Sequence, residues 1–260
     1  MLLHNGGGGA RSNPPPSPTV PPPPDEGEDF AVTTRLDPDL LLRAYRLGAF
    51  PMADSADADD VFWVEPRKRG IIPLNGFHCP RSLAKTVRQG RFEVTVDRDF
   101  GGVMRACAAA APDRADSWIN ATILEAYAAL HARGNAHSVE CRHDGELVGG
   151  LYGVKLGAAF FGESMFSRMR DASKVALVYL VARLRVGGFR LLDTQFLTAH
   201  LAGFGAVEVP RSVYRVQLEG ALGATGDFFA LDSALGTLPA TTVSGPTAGK
   251  RIVQLLTQTS

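Results

Sequence analysis

Residues 136–166 read AHSVECRHDGELVGGLYGVKLGAAFFGESMF, and this stretch decides the fold. Residues 136–142 and 146–154 read as strands, and Asp144-Gly145 between them is a strong hairpin turn, because a two-residue turn of that type needs positive φ. Residues 157–162 add a third strand. The pattern then changes period: Val175, Leu177, Val178, Leu180, Val181 and Leu184 predict a helix over 172–186, stopped by Gly187-Gly188. Phe189-Arg-Leu-Leu192 begins another strand, and a short helix over 196–202 leads to a strand over 206–209. A meander of strands followed by helix, strand, helix and strand predicts an α+β fold with a mixed sheet. No Gly-x-Gly-x-x-Gly follows a strand, which excludes a doubly wound dinucleotide fold.

Upstream, Asp37 caps a helix with Pro38 in its first turn and Gly48 as its stop. Val61-Phe-Trp-Val64 predicts a short strand and Ile71-Ile72-Pro73 an edge piece. Residues 80–89 predict a helix between Pro80 and Gly90, and 91–97 a strand. An Ala-rich helix follows over 99–110. Asn120 caps a helix whose apolar face is Ile123, Ala126, Tyr127 and Leu130. The ends read differently. Four glycines at 6–9 and prolines at 14–16, 18 and 21–24 predict a disordered arm over residues 1–30. Residues 31–69 are expected to form a small N-terminal domain and 70–222 the main domain. Residues 223–260, rich in Gly, Ala, Thr and Ser, are expected to be a loose C-terminal extension. The run Gly245-Pro-Thr-Ala-Gly-Lys250 lacks the spacing and the preceding strand of a phosphate loop.

The chain has 260 residues, with 27 Lys+Arg against 27 Asp+Glu and 45% hydrophobic residues. These values fit a soluble globular protein and exclude a wholly disordered one. Zero net charge excludes a globally basic coat for nucleic acid but leaves a local basic patch open. No apolar run of 18 or more residues appears, so no membrane span is expected, and the start shows no secretory signal. Cys79, Cys107 and Cys141 form no disulfide framework and fit a reducing cytoplasm.

Three positions carry polar groups in apolar company. Glu163 lies in Ala159-Phe-Phe-Gly-Glu-Ser-Met-Phe166, and Asp193 and Gln195 lie in Phe189-Arg-Leu-Leu-Asp-Thr-Gln-Phe196. Positions 193 and 195 share one face of a strand. A buried carboxylate must be paired, hydrogen-bonded or neutralised, so a reactive group and a structural ion pair are both open readings. From Arg67 to Arg91 there are cations and no acidic residue. Arg81, Lys85 and Arg88 fall on one helical face, which suits a phosphate backbone or a solvated surface. His131, His137, Cys141 and His143 match no zinc spacing, and no metal is expected.

Several segments together resemble one family. They are Tyr45-x-x-Gly-x-Phe-Pro-Met52, Trp63-x-x-Pro-x-x-Arg69, Ser117-Trp-Ile119, Ala126-Tyr-x-x-Leu-His131, His137-Ser-Val-Glu140 and Leu147-Val-Gly-Gly-Leu-Tyr-Gly153. Phe161-Gly-Glu-Ser-Met-Phe-Ser167, Ala172-Ser-Lys-x-Ala176, Leu192-Asp-x-Gln195 and His200-Leu-x-x-x-Gly-Ala206 continue the match in order. From about residue 36 to 219 the chain resembles the bacterial leucyl/phenylalanyl-tRNA–protein transferases. The resemblance implies a GNAT-like acyltransferase core behind a small N-terminal domain. It implies transfer of Leu or Phe, and less readily Met, from aminoacyl-tRNA to proteins that begin with Arg or Lys, feeding N-degron degradation in the cytoplasm. The aminoacyl ester is already activated, so no ATP or other cofactor is expected, and a monomer suffices. By the same resemblance Asp193 orients or deprotonates the amine, Gln195 positions it or donates to the ester oxygen, and Glu163 organises the site or attracts the acceptor's basic side chain. Met165, Leu151 and Leu192 would line the donor pocket, Trp118 would lie near the terminal adenosine, and Arg81, Lys85 and Arg88 would hold the tRNA. A GNAT-like enzyme with another carrier-bound donor and a silent tRNA- or peptide-binding module are the other readings.

Overall fold

A computed structural model describes residues 36–109, 117–236 and 245–257; the arm expected over 1–30 lies outside the described residues. The chain runs α1 (Pro38–Leu47), β1 (Phe50–Met52), β2 (Phe62–Val64), β3 (Lys68–Ile71), α2 (Arg81–Gln89), β4 (Glu93–Val96), α3 (Phe100–Ala108), α4 (Ala121–Ala132), β5 (Ala136–His143) and β6 (Glu146–Leu156). It continues β7 (Ala159–Ser167), α5 (Ala172–Val186), β8 (Leu191–Gln195), α6 (Ala199–Ala202), β9 (Val207–Pro210), α7 (Arg211–Leu222), α8 (Ala230–Leu235) and α9 (Gly245–Thr257).

Seven strands make one sheet in the order β4-β5-β6-β7-β8-β3-β9, and β1 pairs with β2 apart from it. The β5–β6 hairpin turns at Asp144 and Gly145, both at positive φ as the turn demands. Among the described strands only β7 and β8 run parallel, because α5 crosses over between them. Side chains alternate across the sheet. Leu151, Phe160 and Leu192 enter a core with α2, α5 and α9, while Tyr152, Phe161 and Leu191 enter a second core with α1, α3, α4 and α7. The helix α5 is buried along most of its length, from Ala172 to Leu184. This is the α+β architecture that the meander and crossover helix predict.

Two expectations need correction. Ile71 ends no edge piece: β3 lies inside the sheet, hydrogen-bonded to β8 on one side and β9 on the other. The described residues after 222 are not loose either. Phe228 and Leu231 are buried, and Ile252, Val253 and Leu256 form the buried face of α9. Arg183 of α5 forms a bidentate, buried ion pair with Asp232 of α8, at 2.7 and 2.8 Å. A Gly/Ala/Thr-rich composition hid a helix whose few large residues sit at helical spacing.

Candidate active site

The parallel pairing of β7 and β8 lasts from Ala159↔Leu191 to Phe161↔Asp193 and then stops. Glu163, Asp193 and Gln195 stand where it stops. Glu163 is half-buried, whereas Asp193 is fully buried. Three hydroxyl and amide donors converge on Glu163. Tyr45 Oη donates to Oε1 at 2.7 Å, Tyr127 Oη to Oε2 at 3.2 Å, and Gln195 Nε2 to Oε1 at 3.2 Å. The two tyrosine hydroxyls also bond to each other, and because each has a single proton, the protonated Glu163 carboxyl supplies the third proton of this triangle. Their placement follows from helix periodicity: Leu41 and Tyr45 are the buried face of α1, and Tyr127 belongs to the apolar face of α4.

Asp193 is held from a different side. Arg69 Nε lies 2.9 and 3.0 Å from its two oxygens and Nη2 lies 2.7 Å from Oδ2. Tyr214 Oη donates to Oδ2 at 2.6 Å, and the backbone N–H of Gln195 donates to Oδ1 at 2.7 Å. The Arg69 guanidinium sits 4.7 Å from the Phe50 ring centroid and 4.6 Å from that of Tyr214, and its Nη1 donates to Gly48 O at 2.7 Å. Gln195 adopts φ +57°, a left-handed conformation rare for a side chain of its kind. Strand parity therefore does not set its direction; the turn does.

These surroundings fix the charges. Burial pushes the Glu163 carboxyl up to about 8; the Asp193 carboxylate acts the same way, while Tyr45, Tyr127 and Arg69 oppose it. Burial and the neighbouring Glu163 charge raise Tyr45 and Tyr127 well above the ordinary phenol range, so both stay protonated donors. Burial and the Asp193 charge do the same to Tyr214. Burial works against the charge on Arg69, but the Asp193 carboxylate more than offsets it.

The structure brings Glu163, Asp193 and Gln195 together, and adds Arg69, Tyr45, Tyr127 and Tyr214, which the sequence did not single out. Arg69 stood both in the basic run and at the end of the motif Trp63-x-x-Pro-x-x-Arg69, and neither gave it a role; it is buried against Asp193, and its neighbour Lys68 pairs with Glu208 at 3.0 Å. Leu151 and Met165 face each other across β6 and β7, and Leu192 lies in the same core. Trp118 packs with Phe62 and Trp63 against the core on the other face of the sheet. Arg81, Lys85 and Arg88 are exposed on α2, and none forms an ion pair among the described residues. His137 bonds Asp97 at 2.7 Å and stacks on Phe228, His131 stacks on Phe100, and His143 approaches Arg91 O. No helix among the described residues is long and apolar enough to cross a membrane.

Comparison with known proteins bears on this geometry. A family model described as leucyl/phenylalanyl-tRNA protein transferase matches residues 71–219, and the model of that family's N-terminal domain matches residues 34–67. The leucyl/phenylalanyl-tRNA–protein transferase of Rhizorhabdus wittichii is 58% identical over 245 residues, covering 86% of this chain and 99% of that protein. That of Ruegeria pomeroyi is 59% identical over 196 residues, covering 75% and 91%. That of Zymomonas mobilis is 56% identical over 207 residues, covering 77% of each.

Proposed function

The chain belongs to the leucyl/phenylalanyl-tRNA–protein transferase family, an aminoacyltransferase family, and from that premise we propose that it moves Leu or Phe from aminoacyl-tRNA to the α-amino group of proteins beginning with Arg or Lys. Met is accepted less readily. The product enters N-degron degradation in the bacterial cytoplasm. One observation carries this reading: Glu163, Asp193 and Gln195 meet where β7 and β8 part. Leu151, Met165 and Leu192 are proposed to line the donor pocket.

The reaction needs little from the protein beyond position and charge. The amine nitrogen attacks the ester carbonyl carbon, the bond to the ribose oxygen breaks, and an amide forms. The amine's proton ends on the ribose oxygen, which leaves as the free hydroxyl of the tRNA. A free α-amino group has a pKa of about 7.7–8.0, so an appreciable fraction is neutral at pH 7. Holding it against the ester supplies the larger share of the rate. The Gln195 carboxamide positions the amine or donates to the developing oxyanion. Glu163 is raised to about 8, close to the amine itself, so proton exchange between the two is nearly balanced. Its carboxylate form also suits the acceptor's basic side chain.

Trp118 is proposed to lie near the terminal adenosine, and the α2 cations to hold the tRNA. The test is direct: charge tRNA with labelled Leu or Phe and follow the label onto an Arg-ended peptide. Transfer supports the proposal; tRNA binding without transfer supports a silent binding module; transfer only from another carrier supports a different acyltransferase.

A further inference from the structure

The carboxylate of Asp193 has no room for a substrate. An ionised carboxylate offers about four lone-pair positions. Here Oδ1 accepts from Arg69 Nε and from the Gln195 N–H, and Oδ2 accepts from Arg69 Nη2 and from Tyr214 Oη. Neither Asp193 nor Arg69 is exposed by more than 1%. One bond of Asp193 leads directly from this cluster toward the reacting groups, the bond to the Gln195 backbone. It closes a tight turn two residues long, of the kind in which Asp accepts from the N–H two residues on. Gln195 is left-handed in that turn, and its carboxamide reaches Glu163.

We propose that Arg69 is a positioning residue for the transfer reaction: clamped between Phe50 and Tyr214, it saturates Asp193, and Asp193 in turn holds the left-handed turn that aims the Gln195 carboxamide. Asp193 then takes no proton. The amine's proton passes to the half-buried Glu163, to which the Gln195 carboxamide donates, and from there to the leaving ribose oxygen. This rests on the function proposed above.

The residue after Arg69 supports the same device. A Cβ on Gly70 would lie 2.6 Å from the Phe196 carbonyl carbon and 2.8 Å from Leu197 N. The chain leaving Gln195 passes directly over Gly70. One strand, β3, therefore supplies both the charge that ties Asp193 and the space through which the strained turn leaves. Arg69 also donates to Gly48 O, at the end of α1, the helix that carries Tyr45 to Glu163. Both carboxylates are thus held in part by residues of the N-terminal portion of the chain, Arg69 on Asp193 and Tyr45 on Glu163.

The experiment compares wild type, Arg69→Lys, Asp193→Asn, the double variant of these two, and Tyr214→Phe on single preparations. It measures kcat, the KM of each substrate and thermal unfolding. Arg69→Lys keeps the charge but loses the two-pronged contact and the stacking. A misplacement of about 1 Å costs on the order of 10²-fold in rate, and kcat is expected to fall by that much while both KM values stay within about twofold. Because the two residues act as one unit, the double variant should fall no further than the worse single. Tyr214→Phe removes one bond without a volume change, so it keeps the test available should Arg69→Lys fail to fold; kcat is expected to fall about tenfold, a smaller loss of the same kind. A folded Arg69→Lys or Tyr214→Phe protein with wild-type kcat overturns the clamp, as do losses that multiply in the double variant. A wild type that transfers nothing overturns the proposed function instead.

Discussion

At the scale of the residue, Glu163 is the group whose titration should be visible. Its ordinary pKa is 4.5 and burial raises it to about 8. Between those values the unfolded chain has lost a proton that the folded chain keeps, so this group makes stability fall as pH rises across the window and adds no slope above it. Glu163→Gln should remove that slope, gaining on the wild type in Tm between about pH 5 and about pH 8.5. A parallel pH response in the two proteins would show that the carboxyl does not titrate there. Transfer should also rise with pH through about 8, where the amine and Glu163 both lose protons, and the variant should keep only the limb that belongs to the amine. The apolar residues proposed for the donor pocket argue for a graded choice of donor. A pocket of Leu151, Met165 and Leu192 separates a methylene by only about 1–3 kcal/mol, so Leu and Phe should be used and the β-branched Ile and Val disfavoured. Equal rates with charged Leu and Val would sink that pocket.

At the scale of the element, α2 presents Arg81, Lys85 and Arg88 to solvent while Leu83, Ala84 and Val87 are buried. Replacing the three cations by Ala should weaken tRNA binding and flatten its salt dependence, since each lost phosphate contact takes about 0.7–0.9 from the logarithmic slope. Activity with a minimal aminoacyl-adenosine donor should survive; an unchanged salt slope would make this face ordinary solvated surface. Elements of this kind were legible in the sequence because local chemistry sets them. Asp37 and Gly48 bound α1 as read, and the face of α4 is Ile123, Ala126, Tyr127 and Leu130 as read. The β5–β6 hairpin turned where Asp144-Gly145 required. What could not be read is long-range. Nothing near Arg69 in sequence marks a partner at position 193, and two residues on one strand face gave no warning that Gln195 leaves the strand conformation. The candidate carboxylates could be picked out as polar groups in apolar runs, but their partners depend on which strands meet.

At the scale of the whole molecule, the part that composition made look dispensable closes the core that α2 and α5 share. The family model matches only as far as residue 219, yet α8 and α9 lie beyond it and are held by specific contacts. Phe228 stacks on His137 and on Phe160, and its carbonyl accepts from Arg183 at 2.7 Å. Arg183 and Asp232 are each only 2% exposed. A Cβ on Gly249 would come within 2.0 Å of Val87 O, so α9 approaches the backbone of α2 more closely than any residue but glycine allows. The helix that carries the proposed tRNA face is thus braced from behind by the C-terminal helix. Removing one member of a buried ion pair leaves the other charge uncompensated, so Asp232→Ala should cost about 3–5 kcal/mol of stability. Its transfer rate per folded molecule should stay near wild type at temperatures where it is folded, because Arg183 and Asp232 touch nothing at Glu163 or Asp193. A chain ended after Leu222 should fare worse, since the faces of α2 and α5 that meet Ile252, Val253, Leu256, Phe228 and Leu231 would open to water. Thermal unfolding of the two variants beside the wild type decides this: a truncated chain with the wild-type Tm would return residues 223–260 to the status of an appendage, and a marked fall in both places them in the core that holds α2 in register with the site.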